Sequence, residues 1–375
     1  MLISNLLLND GQYLFRQMQG EIGAYLRTHN VDLMNMGVGD VVKPLAPVVV
    51  DGLRRASEEM LTSDGFRGYP PTEGYDFARR AVQEYYGAIG ANLDLQQICI
   101  GSGAKDELAV WSRVYDREVP AMVVSPAYPL YADLAHNVGR RVVYVEDVEE
   151  AASIGGPHII YLCSPNNPTG TTLDSLGLQR WVDHARKTQS VILFDAAYAA
   201  FAYPYTVFAC EGADEVCVEV GTLSKSASFS GMRFGWSAIG RHVCGGAALR
   251  AYLKFKSTAT NGVAYVVQRA GERALRQEGL AYSRRLVEGY KQSAKQIAVA
   301  LQVMGCQCQV GPYIWLKLPG RLKENPFRAF LEKGHIIVTD GAGFGRGGEG
   351  YVRLSVFGIG GREQEAIARL SRVLG

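Results

Sequence analysis

Residues 190–198, SVILFDAAY, carry four consecutive apolar side chains into an acid, Asp195. A strand that is apolar on both faces belongs to a sheet covered by helices on both sides, and such sheets are mostly parallel. The same signature recurs on either side, in HIIYLCS (158–164) and EVCVEVGTLS (215–224), and further upstream in AMVVS (121–125) and RRVVYVE (140–146). Helical or turn segments separate these runs. QICIGSGAKDELAVWSRV (97–114) reads as strand, glycine turn and helix, an arrangement that presents backbone N–H groups to an anion. The alternation predicts an α/β fold with a mostly parallel sheet between two helical layers. Open sheets of this kind bind ligands at the carboxyl ends of their strands, where Asp195 stands.

The stretch that follows, GTLSKSASFSGMRFGW (221–236), sets Lys225 among Thr222, Ser224, Ser226, Ser228 and Ser230, with Arg233 close behind. Small, uncharged neighbours suit an amine held in a tight polar loop, where it forms a Schiff base with an aldehyde cofactor. Short hydroxyls and a guanidinium suit a phosphate. A Ser-rich surface loop with an incidental lysine is the plain alternative. Other strand ends favour the cofactor. Asp195 is placed to pair with a pyridinium nitrogen. Asn167, in SPNNPTG, and Tyr198 are placed to bond a ring oxygen, and Gly103, Ala104 and Lys105 offer N–H groups to a phosphate. Each has a bland reading, such as a helix cap or a turn. Together they supply the contacts that pyridoxal phosphate needs.

The remaining chain reads in order as a short arm (1–20), a helix in GEIGAYLRT and a glycine turn at 36–40. Helices follow in VVVDGLRRASEEML (48–61) and DFARRAVQEYYGAIG, with a loop, FRGYPPTEGY (66–75), between them. Beyond Trp236 a long helical region (262–300) leads into YIWLKLPG, HIIVTD and YVRLSVFG, a smaller α+β unit. Residues 343–348, GFGRGG, match a dinucleotide fingerprint. The following YVRLSVF is strand-like where that motif requires a helix, so the reading is rejected.

The 375 residues are enough for two domains, and a net charge of +2 points to neither nucleic acid nor an acidic membrane. Seven cysteines, an odd number, predict free thiols in a reducing compartment, and no metal site is expected. The opening MLISNLLLND lacks a basic region, and no run approaches a membrane span, so a cytoplasmic location is expected.

The chain resembles the fold-type-I pyridoxal-phosphate enzymes of the aspartate aminotransferase superfamily, and among them the LL-diaminopimelate aminotransferases. The matching pieces run in order and include MGVGDVVKPL (36–45), FRGY (66–69), SGAKDE (102–107), SPAYPLY (125–131), LCSPNNPTGT (162–171), LFDAAYAAF (193–201), SKSASFSGMRFGW (224–236), STATNG (257–262), PYIWLK (312–317) and GFGRGGEGYVRLS (343–355). The resemblance implies a PLP-dependent class I/II aminotransferase of amino-acid metabolism, moving an α-amino group from an amino acid to a 2-oxo acid. An eliminase or cyclase on the same fold is the alternative. It implies residues 1–40 as an arm with part of a small domain, 41–267 as a large cofactor-binding domain and 268–375 as the small C-terminal domain. Lys225 is then the Schiff-base lysine and proton carrier, Asp195 the partner of the ring nitrogen, and Tyr128 the residue stacked on the ring. Ala104, Lys105, Thr222, Ser224 and Arg233 take the phosphate, with Tyr69 reaching in from the other subunit of a homodimer. Arg353 clamps the substrate carboxylate. Tyr13, Gly39, Lys105, Asn167 and Asn261 line the substrate side, Tyr13 and Asn261 from across the interface. The diaminopimelate enzymes carry Gly-Pro-Glu after the tyrosine of their RGY motif, where this chain has Pro70, Pro71 and Thr72. Glu73, one residue later, is the candidate carboxylate for a distal ammonium.

Overall fold

The apolar runs become strands in a computed structural model that describes residues 4–7 and 14–375. A two-residue strand, β1 (Met34–Asn35), comes first. Seven more follow: β2 (Ile98–Gly101), β3 (Ala121–Val124), β4 (Val142–Val145), β5 (Ile159–Cys163), β6 (Val191–Asp195), β7 (Cys217–Thr222) and β8 (Gly235–Ile239). They make one sheet in the order β2-β8-β7-β6-β5-β3-β4. The pairs from β7 across to β4 are parallel, and β8 is antiparallel to both β7 and β2. Six strands therefore share one direction, and their carboxyl ends lie along one edge.

Strand β8 is absent from the sequence expectation. The lysine loop acts as a wide hairpin connection, returning the chain beside β7 so that Thr222 faces Gly235. An antiparallel return needs no crossover helix to announce it. The two-faced burial of the central strands is as expected. Ile192 and Phe194 pack with Leu178, Trp181 and Val182 on one side, while Leu193 packs with Leu108 and Trp111 on the other. Each fully buried side chain of this size contributes about 1.5–3 kcal/mol, which fixes the register of β6 and the position of the acid at its end.

The helical region expected over 262–300 is two helices, Tyr265–Leu275 and Gln277–Val303, broken by an extended Arg276 (φ −85°, ψ 169°). Gly279 permits the sharp join, since a Cβ there would collide with the carbonyls of Arg273 and Ala274. A further helix, Ala247–Ala259, is not in the sequence expectation.

The C-terminal part contributes β9 (Cys308–Val310), β10 (Ile314–Lys317), β11 (Ile336–Ile337), β12 (Thr339–Asp340) and β13 (Tyr351–Leu354). An antiparallel sheet runs β12-β13-β10-β9, and β11 pairs in parallel with β1, tying the N-terminal segment to this unit. GFGRGG leads from a short turn into β13, so no helix follows the glycines. Trp315 of β10 lies opposite Arg353 of β13. No helix among the described residues is long and apolar enough to cross a membrane.

Candidate active site

The carboxyl ends of β2, β3, β5, β6 and β7 open onto a cavity of about 440 Å³. Four cationic side chains (Lys105, Lys225, Arg233, Arg353) and two acidic ones (Asp40, Asp195) line it. That excess of positive charge suits a ligand, or a pair of ligands, bearing more than one negative charge.

One end is a cradle for a tetrahedral anion. Helix Ala104–Val114 begins after Gly103 without a side-chain cap, so its first backbone donors have no partner within the helix. Gly103 has φ +113°, and a Cβ there would come within 2.6 Å of Arg233 Nη2. Arg233 itself sits at φ +61°, a left-handed conformation that costs an arginine about 1 kcal/mol or more. Its guanidinium is held by the Ser230 carbonyl at 3.1 Å and Asp106 at 2.6 Å. The Thr222 and Ser224 hydroxyls lie 2.9 Å apart beside it.

At the opposite end Asp195 is buried. The Tyr131 hydroxyl donates to Oδ2 at 2.7 Å and the Ala197 N–H donates to Oδ1 at 3.0 Å. Burial pushes its carboxyl above the usual range, while Tyr131, the Ala197 N–H and the charge on Lys225 act the other way. A protonated ring nitrogen would suit this carboxylate. Asn167, on the cavity wall, accepts from Arg353 Nη1 at 2.7 Å through Oδ1, and its NH₂ group remains a donor. Tyr198 adds a hydroxyl 2.6 Å from that of Tyr313.

Lys225 lies between the two ends and donates to the Gly39 carbonyl. Burial lowers its ammonium to about 8; Asp40 and Asp195 oppose that shift, whereas Arg353 and Arg233 reinforce it. Arg353 is 1% exposed, with Nη2 on the Gly37 carbonyl at 2.5 Å and its guanidinium 4.2 Å from the Tyr313 ring centre. Its Nε is buried with no hydrogen-bond partner. A buried guanidinium with an orphaned donor on a cavity wall is a site for a carboxylate. The donor set thus fits pyridoxal phosphate together with a carboxylate-bearing substrate.

Most of the residues read from sequence meet here: Lys225, Asp195, Tyr128, Tyr198, Asn167, Ala104, Lys105, Thr222, Ser224, Arg233, Arg353 and Gly39 all line the cavity. Tyr69, Asn261 and Glu73 do not. Tyr69 is 87% exposed, and Asn261 lies in a separate depression with Gly101 and Asp106. Glu73 is half-buried off the cavity, its backbone carbonyl accepting from the Ile100 N–H, so within one chain it is no substrate ligand. Tyr13 lies outside the described residues. The sequence reading gave no role to Tyr131 or Tyr313, whose hydroxyl partners appear only in the folded chain.

The family described as aminotransferase class I and II matches residues 31–369. An LL-diaminopimelate aminotransferase of Agathobacter rectalis is 36% identical, covering 96% of each chain. One from Desulforapulum autotrophicum is 35% identical, covering 97% of this chain and 96% of its own. Among solved structures, an L,L-diaminopimelate aminotransferase from Chlamydomonas reinhardtii superposes over the whole of both chains with a TM-score of 0.90 at 28% identity. An aspartate aminotransferase from Thermus thermophilus, solved with maleate, does so at 0.87 and 20% identity and shares the fold. Enzymes of this class use pyridoxal phosphate. A sheet edge that gathers a lysine, an acid and an anion cradle around one cavity, and a family match over nearly the whole length, lead to one conclusion: this chain is an enzyme of the class I and II aminotransferase family.

Proposed function

We infer that the protein binds pyridoxal 5′-phosphate through Lys225 and transfers the amino group of a cationic amino acid, LL-diaminopimelate foremost, to a 2-oxo acid. The observation that carries the reading is Lys225, an amine lowered to about 8, facing a cavity bounded by buried Asp195 and by Arg353 with its orphaned Nε. The names of the relatives support the substrate, and Asp40, exposed on the cavity wall, offers a carboxylate to a distal ammonium.

When bound, the cofactor supplies an aldehyde that takes up the amino group and a protonated ring that accepts electron density. The remaining work falls to this chain. Arg233, Thr222, Ser224 and the N–H groups at Ala104 and Lys105 hold the phosphate, and Tyr128 packs on the ring. Asp195 keeps a proton on the ring nitrogen. Arg353 binds the α-carboxylate, which orients the substrate Cα–H bond. Lys225 Nζ, about half neutral at pH 8, would take the Cα proton and give it back. Val38, Leu108 and Leu130 exclude water.

The same reading takes residues 41–267 as the cofactor-binding domain and 268–375, with the 1–40 arm, as the smaller domain that brings in Arg353. It makes the protein a cytoplasmic homodimer, in which Tyr69 and Asn261 serve the partner's site. Exposure of the Tyr69 phenol in the single chain supports this. A panel of amino donors with 2-oxoglutarate, products identified by mass, tests the function. Transfer from LL-diaminopimelate above all other donors is expected. Preference for glutamate or a neutral donor, or products of elimination, contradicts it.

A further inference from the structure

The hydroxyls of Tyr198 and Tyr313 are 2.6 Å apart, on side chains 5% and 2% exposed. Tyr313 also lies under the guanidinium of Arg353, whose centre is 4.2 Å from its ring, and meets Tyr198 edge-on at 5.3 Å. A Cβ at Gly39 would overlap the Tyr313 hydroxyl, and the carbonyl of that same glycine receives the Lys225 amine. One side chain thus contacts the phenol on the cofactor side, the cation on the substrate side, and the backbone that holds the lysine. A core tyrosine needs no such set, and a phenylalanine would fill the space.

Two buried phenols this close share one hydrogen bond, with one donating and the other accepting. Burial keeps both protonated at ordinary pH. If Tyr198 points its own proton at the ring oxygen, Tyr313 must be the donor in the pair. A phenol that accepts one hydrogen bond donates a stronger one, since chains of hydrogen bonds polarise one another.

We propose that Tyr313 is a positioning residue with two separable parts: its hydroxyl orients and strengthens Tyr198 as a donor to the cofactor's ring oxygen, and its ring face seats Arg353 for the substrate carboxylate. The inference rests on the pyridoxal-phosphate reading above. Donation from Tyr198 stabilises the anionic ring oxygen, so the lysine–cofactor linkage holds its proton less tightly. Losing the Tyr313 hydroxyl weakens that donation and raises the pH at which the linkage deprotonates. Losing the ring loosens Arg353 and weakens carboxylate binding.

The test titrates the visible absorbance of the holoenzyme against pH for wild type, Tyr313→Phe, Tyr313→Leu, Tyr198→Phe and the Tyr198→Phe/Tyr313→Phe double variant, alongside steady-state kinetics. Tyr313→Phe is expected to move the midpoint up by about 0.5 unit and to leave KM within about twofold. The shift should vanish in the Tyr198→Phe background, because the hydroxyl acts only through Tyr198. Tyr313→Leu should add a tenfold or larger rise in KM. A wild-type titration that Tyr313→Phe reproduces unchanged overturns the hydroxyl's role. An equal KM rise in Phe and Leu variants overturns the ring's. A wild-type protein with no pH-dependent visible band overturns the cofactor reading itself, and this inference with it.

Discussion

The Tyr131 hydroxyl donates to Asp195 Oδ2 at 2.7 Å beneath the cavity floor, and Tyr131 is in turn stacked on Tyr161 with ring centres 5.2 Å apart. The acid that the proposed function assigns to the ring nitrogen is therefore clamped by a side chain that does not line the cavity. In that role Asp195 works ionised, and burial already pushes its carboxyl up. Tyr131→Phe removes a hydrogen bond to the charged form, so the carboxyl rises further and activity is lost at a higher pH as the solution is acidified. A kcat/KM profile whose acid limb moves up by about half a unit or more, with roughly tenfold lower activity, is expected. Asp195→Asn should lose about a thousandfold or more at every pH. An unmoved acid limb in Tyr131→Phe would show that Tyr131 is only packing.

Lys225 imposes a stability cost on the chain stripped of cofactor. Its ammonium is lowered from 10.5 to about 8, chiefly by burial. The unfolded chain binds the proton more tightly, so the penalty is complete below about pH 8. It shrinks as pH rises from there through 10.5, above which both states are neutral. Lys225→Met should stabilise the cofactor-free protein by about 1–3 kcal/mol at neutral pH. Thermal melts at pH 7 and pH 10 check this, and the variant's advantage should be smaller at the higher pH. An equal or lower melting temperature at pH 7 contradicts it.

Beneath the phosphate cradle, Glu107 and Lys256 form an ion pair at 3.2 Å, on residues 2% and 3% exposed. Lys256 also donates to the Ile100 carbonyl at 2.6 Å and to Tyr252 at 2.7 Å, while Ser237 and Tyr252 donate to Glu107. Glu107 lies in the first turn of helix Ala104–Val114, so the network fixes the helix end that the proposed function assigns to the phosphate. Removing one partner leaves a buried charge uncompensated. Lys256→Met should therefore cost about 3–5 kcal/mol in chemical denaturation and weaken cofactor binding. Glu107→Gln/Lys256→Met should recover part of the loss. A double variant no better than the single one would contradict the pairing.

Much of this fold is legible in the sequence. Five apolar runs became parallel strands, four of them because burial on both faces leaves an uninterrupted signature, as in VILF ahead of Asp195, while β4 at the sheet edge is only partly buried. Asp195, Asn167, Tyr198 and Lys225 drew notice because each stands at or just past such a strand's carboxyl end. Strand Gly235–Ile239 was not, since its sequence continues a glycine-rich loop and its antiparallel partner lies in β7. The break at Arg276 was hidden because both flanking helices carry helical spacing. Tyr131 and Tyr313 escaped because a tyrosine's role depends on where its hydroxyl ends, a three-dimensional fact. Glu73 does not line the cavity of its own chain, and its place in the Pro70–Pro71 loop could not be read from spacing alone.

Covalent trapping of the cofactor tests the central claim most directly. Borohydride reduction of the holoenzyme followed by peptide mapping should place one pyridoxyl group on Lys225, with Lys225→Ala unlabelled. Label on Lys105, Lys256 or any other lysine, or none at all in protein that retains the cofactor, would contradict the account.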